Sequence, residues 1–279
     1  MDKINLLYAG NDKVFDGVLT SALSAVMRLD APAELEIHIL TMDLTRANPK
    51  YTPMNDTHAK AICEALKRHN PRTRVILHDV TKLYERELAF NANEGCYCSP
   101  YTLLRLLADM IDLPEKVLYL DADVLFNKSP RLIFNINVDE YEYAAANDHY
   151  GKFLINPRYI NAGVILFNMR MCQATGLFKK ARELIRVRKL TFADQSAIIR
   201  STTRKKLISQ RFNDQKFLYK NTVIRHFSKR LFYLPYPHTD NIKQWHIHKL
   251  HRVFGYSQFD DVLFEYIYTK KKLEYEVEQ

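Results

Sequence analysis

Asp121 and Asp123 stand two residues apart at the end of an uncharged run, Val117 to Leu120, in the stretch EKVLYLDADVLFNKSP. Carboxylates are costly to bury unpaired, so two of them at the mouth of a core need a compensating partner. In an extended chain, residues two apart share a face, which presents both carboxylates together. Like charges that close raise one another's pKa unless a cation sits between them. A divalent ion meets that need. Hard oxygen ligands suit Mg2+ or Mn2+, which keep positions open for water and substrate phosphates. A D-x-D alone is a weak signal, because the same pair also serves as a capping turn after a strand.

The surrounding elements give the pair its context. INLLYAG (4–10) and ELEIHILTM (34–42) read as buried strands, and RVILHDV (74–80) and KVLYLD (116–121) as two more. Between them, apolar residues at 14, 15, 18, 19, 22, 23, 26 and 29 are spaced as on a helix. DTHAKAICEALKRH forms a second helix with basic residues in its last turn. A third opens with Ser99 as its cap and Pro100 at its first position. Strands alternating with helices predict an α/β fold with a mainly parallel central sheet. Ligands of such sheets bind beyond the carboxyl ends of the strands. YAGNDK after the first strand and DAD after the fourth therefore belong to one rim.

Composition narrows the class. With 279 residues, 47% of them hydrophobic, the chain buries a full core, and no Gly/Ser linker or internal repeat divides it. No apolar run approaches the roughly 18 residues of a membrane span. The opening MDKINLLYAGNDK reads as a core strand and not a signal peptide. Cys63, Cys96, Cys98 and Cys172 form neither a disulfide framework nor a zinc spacing, which suits a reducing cytoplasm. Charge is uneven: residues 1–150 hold 16 Lys/Arg against 22 Asp/Glu, and residues 151–279 hold 25 against 10. The basic half reads as solvated helix faces or as an attraction to anionic phosphates on a nucleotide, a nucleic acid or a membrane.

Four segments, YAGNDK, KVLYLDADVLF, YINAGVILFNM and FADQSAI, occur in the order and spacing of a known family. The chain resembles the retaining glycosyltransferases of family 8, which include glycogenin and bacterial lipopolysaccharide galactosyl- and glucosyltransferases. The resemblance implies a single GT-A, Rossmann-like domain over residues 1–255 that binds a UDP-sugar. Residues 256–279 would then be a basic C-terminal tail, helical and membrane-associating. By the same resemblance Ala9, Asn11 and Lys13 line the uridine pocket, with Asn11 standing where many relatives have Asp. Arg105 lies near the donor sugar and diphosphate. Asp121 and Asp123, flanking Ala122, hold Mn2+ (or Mg2+), which holds the diphosphate.

The family's third metal ligand is a histidine in a His-x-x-Gly-x-x-Lys-Pro-Trp segment. Here that segment is altered to HFSKRLFYLPYPHTDNIKQW. It keeps His226, Lys243 and Trp245, but Gln244 replaces the proline and the spacing is longer. His226 is assigned as the ligand because it ends a short strand, TVIRH; His238, His246, His248 and His251 compete. Lys243 is assigned as a clamp on the diphosphate, where a cation stabilises departing UDP. By the same resemblance, Asp148, Asn161, Asp194 and Gln195 fall on the sugar side. Asp148 and Asp194 would bond donor hydroxyls or orient the acceptor, and Gln195 would face the anomeric carbon opposite the leaving group.

Retention requires a carboxylate nucleophile or same-face attack. An amide at 195 is a poor nucleophile, so the expectation is same-face attack, with a UDP phosphate oxygen helping to deprotonate the acceptor. The resemblance implies UDP-glucose or UDP-galactose as donor, and a glycan, glycolipid or glycoprotein of a cell surface is the expected acceptor. A cytoplasmic enzyme is expected, touching an anionic membrane through Lys270, Lys271 and Lys272. Two rival classes exist. A nucleotidyl or phosphoryl transferase also uses paired Asp and metal, yet the chain has only 7 glycines and no P-loop. A nucleic-acid-binding module would use the basic half with Phe227, Phe232, Tyr233 and Tyr236, and no nucleic-acid partner is expected.

Overall fold

The computed structural model describes residues 2–95, 99–232 and 236–277. Four apolar runs become β1 (Lys3–Ala9), β2 (Glu34–Thr41), β3 (Thr73–Asp79) and β4 (Lys116–Leu120). A short β5 (Val124–Phe126) then leaves the sheet. β6 (Tyr143–Asn147), β7 (Ile160–Asn168) and β8 (Lys205–Ile208) return to it, and β9 (Ile224–His226) pairs with β5. Among the described residues the main sheet has seven strands in the order β3-β2-β1-β4-β7-β6-β8. All run parallel except β7, which is antiparallel to both neighbours. The mainly parallel α/β architecture expected from the sequence is present.

The central strands read as continuous apolar runs because both faces are covered. On one face, the helices Phe15–Met27 and Asp260–Val277 pack with Ile4, Leu6, Leu118 and Leu120. On the other, Pro100–Met110 and Leu177–Val187 pack with Leu7, Tyr119, Ile165 and Phe167. Ser99 caps the first of these as expected: its hydroxyl accepts from the Tyr101 amide, and Pro100 follows it. That segment is wound as a 3₁₀ helix, with Arg105 on its buried side.

Two expectations change here. Residues 256–279 are not basic: Lys270, Lys271 and Lys272 stand against six carboxylates, Asp260, Asp261, Glu265, Glu274, Glu276 and Glu278. Nor is the segment a free appendage, since Phe259, Val262, Leu263 and Tyr266 are buried in the core. Lys270 pairs with Asp16 at 3.0 Å and Lys272 with Glu64 at 3.2 Å. Cys63 and Cys172 are free thiols. Cys96, Cys98 and Tyr233, singled out in the sequence, lie outside the described residues. Among the described residues, no helix is long and apolar enough to cross a membrane.

The edge strand β8 is short and depends on Glu142, the buried residue that leads into β6. Its carboxylate accepts from the Thr202 hydroxyl, the Thr203 amide (2.8 Å) and hydroxyl (3.0 Å), and the Arg204 amide (3.1 Å). Burial pushes the carboxyl up, but these donors outweigh it and hold it below its ordinary value of 4.5. Glu142→Gln keeps the shape, loses the charge-assisted bonds and should destabilise the fold by about 1–3 kcal/mol. A depressed folded pKa gives stability that is complete above the unfolded value and lost as pH falls through the folded one. In urea titrations, the gap between wild type and variant should therefore be widest near neutrality and close in acid.

Candidate functional site

Register decides what shares the rim. β1 and β4 pair Leu6 with Leu118 and Leu7 with Tyr119, so Ala9 stands level with Asp121. β7 runs the other way and begins where its neighbours end, which brings Asn161, Ala162 and Gly163 to the same edge. The Asp121 amide donates to the Gly163 carbonyl at 2.8 Å. Beyond Asp123 the chain enters β5, whose pairing of Val124 with His226 carries the imidazole to the acids. The Phe227 amide closes this junction on the Asp123 carbonyl at 2.7 Å.

Each acid has its own cation. Asp121 Oδ1 accepts from Arg105 Nη2 at 2.7 Å and from the Tyr119 hydroxyl at 3.0 Å. Arg105 is buried, lies 4.0 Å over the Tyr119 ring, and also meets Asp194 Oδ2 at 3.0 Å and the Ala162 carbonyl at 2.5 Å. Burial works against its charge, but Tyr119, Asp121 and Asp194 more than offset this and raise its pKa. Burial pushes Asp194 up further than Arg105 lowers it. Asp123 faces His226 Nε2 at 3.1 Å through Oδ1 and the Lys243 ammonium through Oδ2. Burial opposes its charge too, yet Lys243 and His226 hold its carboxyl well below the usual range.

Asp121, Asp123 and His226 each place a ligand atom within 4.8 Å of the others, the one such group among the described residues. Two hard carboxylates and one imidazole fit Mn2+ or Mg2+. A relay of amides orients the histidine. Asp148 Oδ2 accepts from Asn161 Nδ2 (2.9 Å), Asn161 Oδ1 from Asn213 Nδ2 (2.9 Å), and Asn213 Oδ1 bonds His226 Nδ1 (3.0 Å). With the Asn213 oxygen as acceptor, Nδ1 carries a proton, which leaves Nε2, on the side of the acids, as the atom a metal would take. Gly163 supplies the room. A Cβ there would lie 2.3 Å from His226 Cε1 and 2.8 Å from Asp121 Oδ2.

The remaining candidates take two positions. Asp148, Asn161 and Gln195 line a cavity of about 370 Å³ beside the acids. Gln195 Oε1 accepts from the Ala162 amide at 2.8 Å. Asp148 Oδ1 anchors a turn through the Tyr150 and Gly151 amides, so Asp148 shapes the cavity wall. Ala9 ends β1, the buried Asn11 follows it, and the Lys13 ammonium lies 6.0 Å from the Tyr51 ring. Three residues were not found from the sequence. Asn213 sits in no recognisable pattern, Tyr119 reads only as part of the uncharged strand before Asp121, and Gln244 reads only as a departure from the family's segment. Gln244 Nε2 donates to the Ala122 carbonyl (2.8 Å) and to the Thr20 hydroxyl (3.0 Å), which ties the C-terminal segment to the Asp-Ala-Asp turn.

The family model for glycosyl transferase family 8 matches residues 5–246. Lipopolysaccharide 1,3-galactosyltransferase of Salmonella typhimurium is 25% identical over 267 residues, covering 88% of this chain and 74% of that protein. Among solved structures, galactosyltransferase LgtC in complex with donor and acceptor sugar analogs aligns with a TM-score of 0.65. Its identity is 17%, with 94% of this chain and 95% of that chain covered. Glycosyltransferase GlyE of Streptococcus pneumoniae aligns at 0.61 with 15% identity, over 96% of this chain and 64% of that one. These structural likenesses bear on the fold, which is GT-A.

Because Asn213 bonds His226 Nδ1 and Gly163 leaves room for the imidazole, each should matter for metal binding more than for folding. Asn213→Ala should weaken Mn2+ binding by about 10–100-fold, the usual cost of losing a partner behind a ligating histidine. Gly163→Ala should do at least as much by displacing the imidazole. Calorimetric Mn2+ titration, beside circular dichroism to verify the fold, checks both; unchanged affinity in either would remove that residue from the site.

Proposed function

The chain belongs to glycosyl transferase family 8, and from that premise we propose that it moves glucose or galactose from a UDP-sugar to a glycan, glycolipid or glycoprotein. Family membership sets aside the nucleotidyl-transferase and nucleic-acid readings. The observation that carries the donor proposal is the rim itself: two carboxylates and an imidazole within 4.8 Å, flanked by Arg105 and Lys243. Mn2+ or Mg2+ held by Asp121, Asp123 and His226 would neutralise charge on the leaving diphosphate. Lys243 adds positive charge at the same place, and Arg105 holds Asp121 in position. Ala9, Asn11 and Lys13 at the end of β1 take the uridine.

The sugar-side geometry supports retention by same-face attack. Asp194 is turned to Arg105, and Gln195 is an amide engaged by the Ala162 amide. Asp148 is the one carboxylate among the described residues lining the cavity, and both its oxygens are engaged by Tyr150, Gly151 and Asn161. That leaves no free carboxylate beside the cavity to serve as nucleophile. A UDP oxygen then takes the acceptor's proton as the new bond forms on the face the leaving group departs from. The expectation of a cytoplasmic enzyme meeting its acceptor at the inner face of a membrane belongs to the same proposal.

Three measurements test this reading. UDP with Mn2+ at about 100 times its Kd should stabilise the protein by about 2.7 kcal/mol, and UMP or an oligonucleotide should fall well short. Asp121→Asn or Asp123→Asn should cut transfer and UDP-sugar hydrolysis by about 100-fold or more; wild-type turnover in either ends the metal assignment. His226→Ala should weaken Mn2+ while His246→Ala and His248→Ala stay nearly silent, and the reverse ranking would move the ligand towards Trp245.

A further inference from the structure

The turn that Asp148 anchors presents three apolar side chains to solvent: Phe153 at 77% exposure, Leu154 at 81% and Ile155 at 57%. This exposure is built in. Asp148 Oδ1 accepts from the Tyr150 amide at 3.1 Å and the Gly151 amide at 2.7 Å. The Ile155 amide closes the turn on the Gly151 carbonyl at 2.9 Å. A Cβ on Gly151 would lie 2.4 Å from the Tyr159 ring, so the base of the turn is packed tight. The turn holds its shape and points its apolar tip outward.

The turn is also part of the cavity. Leu154 and Ile155 wall the space that Asp148 and Gln195 line, and Lys216, Lys229 and Arg230 wall it from another side. Lys152 stands beside the tip, its ammonium 4.9 Å from the Phe153 ring. Charge over this part of the chain is one-sided. Residues 149–239 contain 19 Lys/Arg against Glu183, Asp194 and Asp214; both aspartates are buried, as are Arg182 and Arg225, which leaves 17 cations against one carboxylate. Apolar residues ringed by cations are the composition of an interfacial anchor: the apolar part enters the headgroup layer and the cations meet anionic lipids.

We propose that the Phe153–Ile155 turn inserts into the surface of an anionic phospholipid bilayer and seats the cavity mouth against it. An acceptor glycan attached to a lipid then enters the cavity from the membrane side. The docking stands on the surface alone; only the acceptor's role rests on the function proposed above. The site differs from the C-terminal lysines expected from the sequence, two of which are paired within the fold.

Co-sedimentation of the full chain with phosphatidylcholine vesicles, with and without phosphatidylglycerol, tests the proposal. Wild type should partition to the anionic vesicles at least tenfold better than to the neutral ones. Added salt should release it, because such fields decay over about 8 Å at physiological ionic strength. Phe153→Asp should lose at least tenfold in partition, and Lys271→Glu should behave as wild type. Phe153 is outside the donor site, so UDP-sugar hydrolysis without vesicles should be unchanged in Phe153→Asp. Binding to neither vesicle, equal binding to both, or undiminished binding of Phe153→Asp overturns the docking. Normal vesicle binding with no UDP-sugar hydrolysis in wild type would instead overturn the proposed reaction and leave the docking intact.

Discussion

Two carboxylates at the end of a buried strand cannot be left without counter-charge, and much of the rim is an answer to that constraint. Removing the partner of a buried charge costs several kcal/mol, far more than an exposed ion pair is worth. The chain meets the need from three directions. Arg105 comes from the helix beneath the sheet, His226 from a strand paired with β5, and Lys243 from the segment that crosses the rim last. Arg105 is in turn a buried cation, compensated by Asp121 and Asp194 and stacked on Tyr119. The small residues follow: Gly163 is bare because an imidazole and a carboxylate occupy the place of its side chain.

Wherever chemistry and local pattern coincide, the sequence was readable. Apolar runs marked β1 to β4, Ser99–Pro100 marked a helix start, and Asp121 and Asp123 announced themselves by sitting where acids are costly. Direction was not readable for β7. NAGVILFN is apolar along its length because β4 and β6 flank it and both faces are covered, and such a run looks the same parallel or antiparallel. Yet its reversal is what brings Asn161 to the rim by its first residues.

The C-terminal half was harder for a different reason. Its contacts to the acids span 103 residues in the case of His226 and Asp123 and 120 for Lys243 and Asp123, a separation no local pattern reports. Asn213 shows no signal because its role consists of two amide hydrogen bonds to residues from other strands. The lysines at 270–272 form one contiguous run, whereas the six carboxylates of the same segment are spread along it. In a helix packed on its neighbours, Asp261 and Glu265 pair with Arg28 and Arg68, and Lys270 and Lys272 with Asp16 and Glu64.

His226 and Lys243 meet at Asp123 and through the Lys243 ammonium on the Phe227 carbonyl at 3.1 Å, yet each also has an anchor of its own. β5 and Asn213 fix the first. The second is fixed by its neighbours, Gln244 on the Ala122 carbonyl and Trp245 against Gly17. Between the two anchors the chain makes an antiparallel hairpin, Arg230–Phe232 with His238–Asp240. Because both ends are pinned by other means, the connecting piece bears no duty of alignment, and doubling a loop's length adds only about 0.6 kcal/mol of closure entropy. A change in the length or sequence of this piece would alter the wall that Lys229 and Arg230 present to the cavity while the acids and their ligand partners keep their places. Variation in what the cavity admits is thereby uncoupled from the part of the fold that cannot vary.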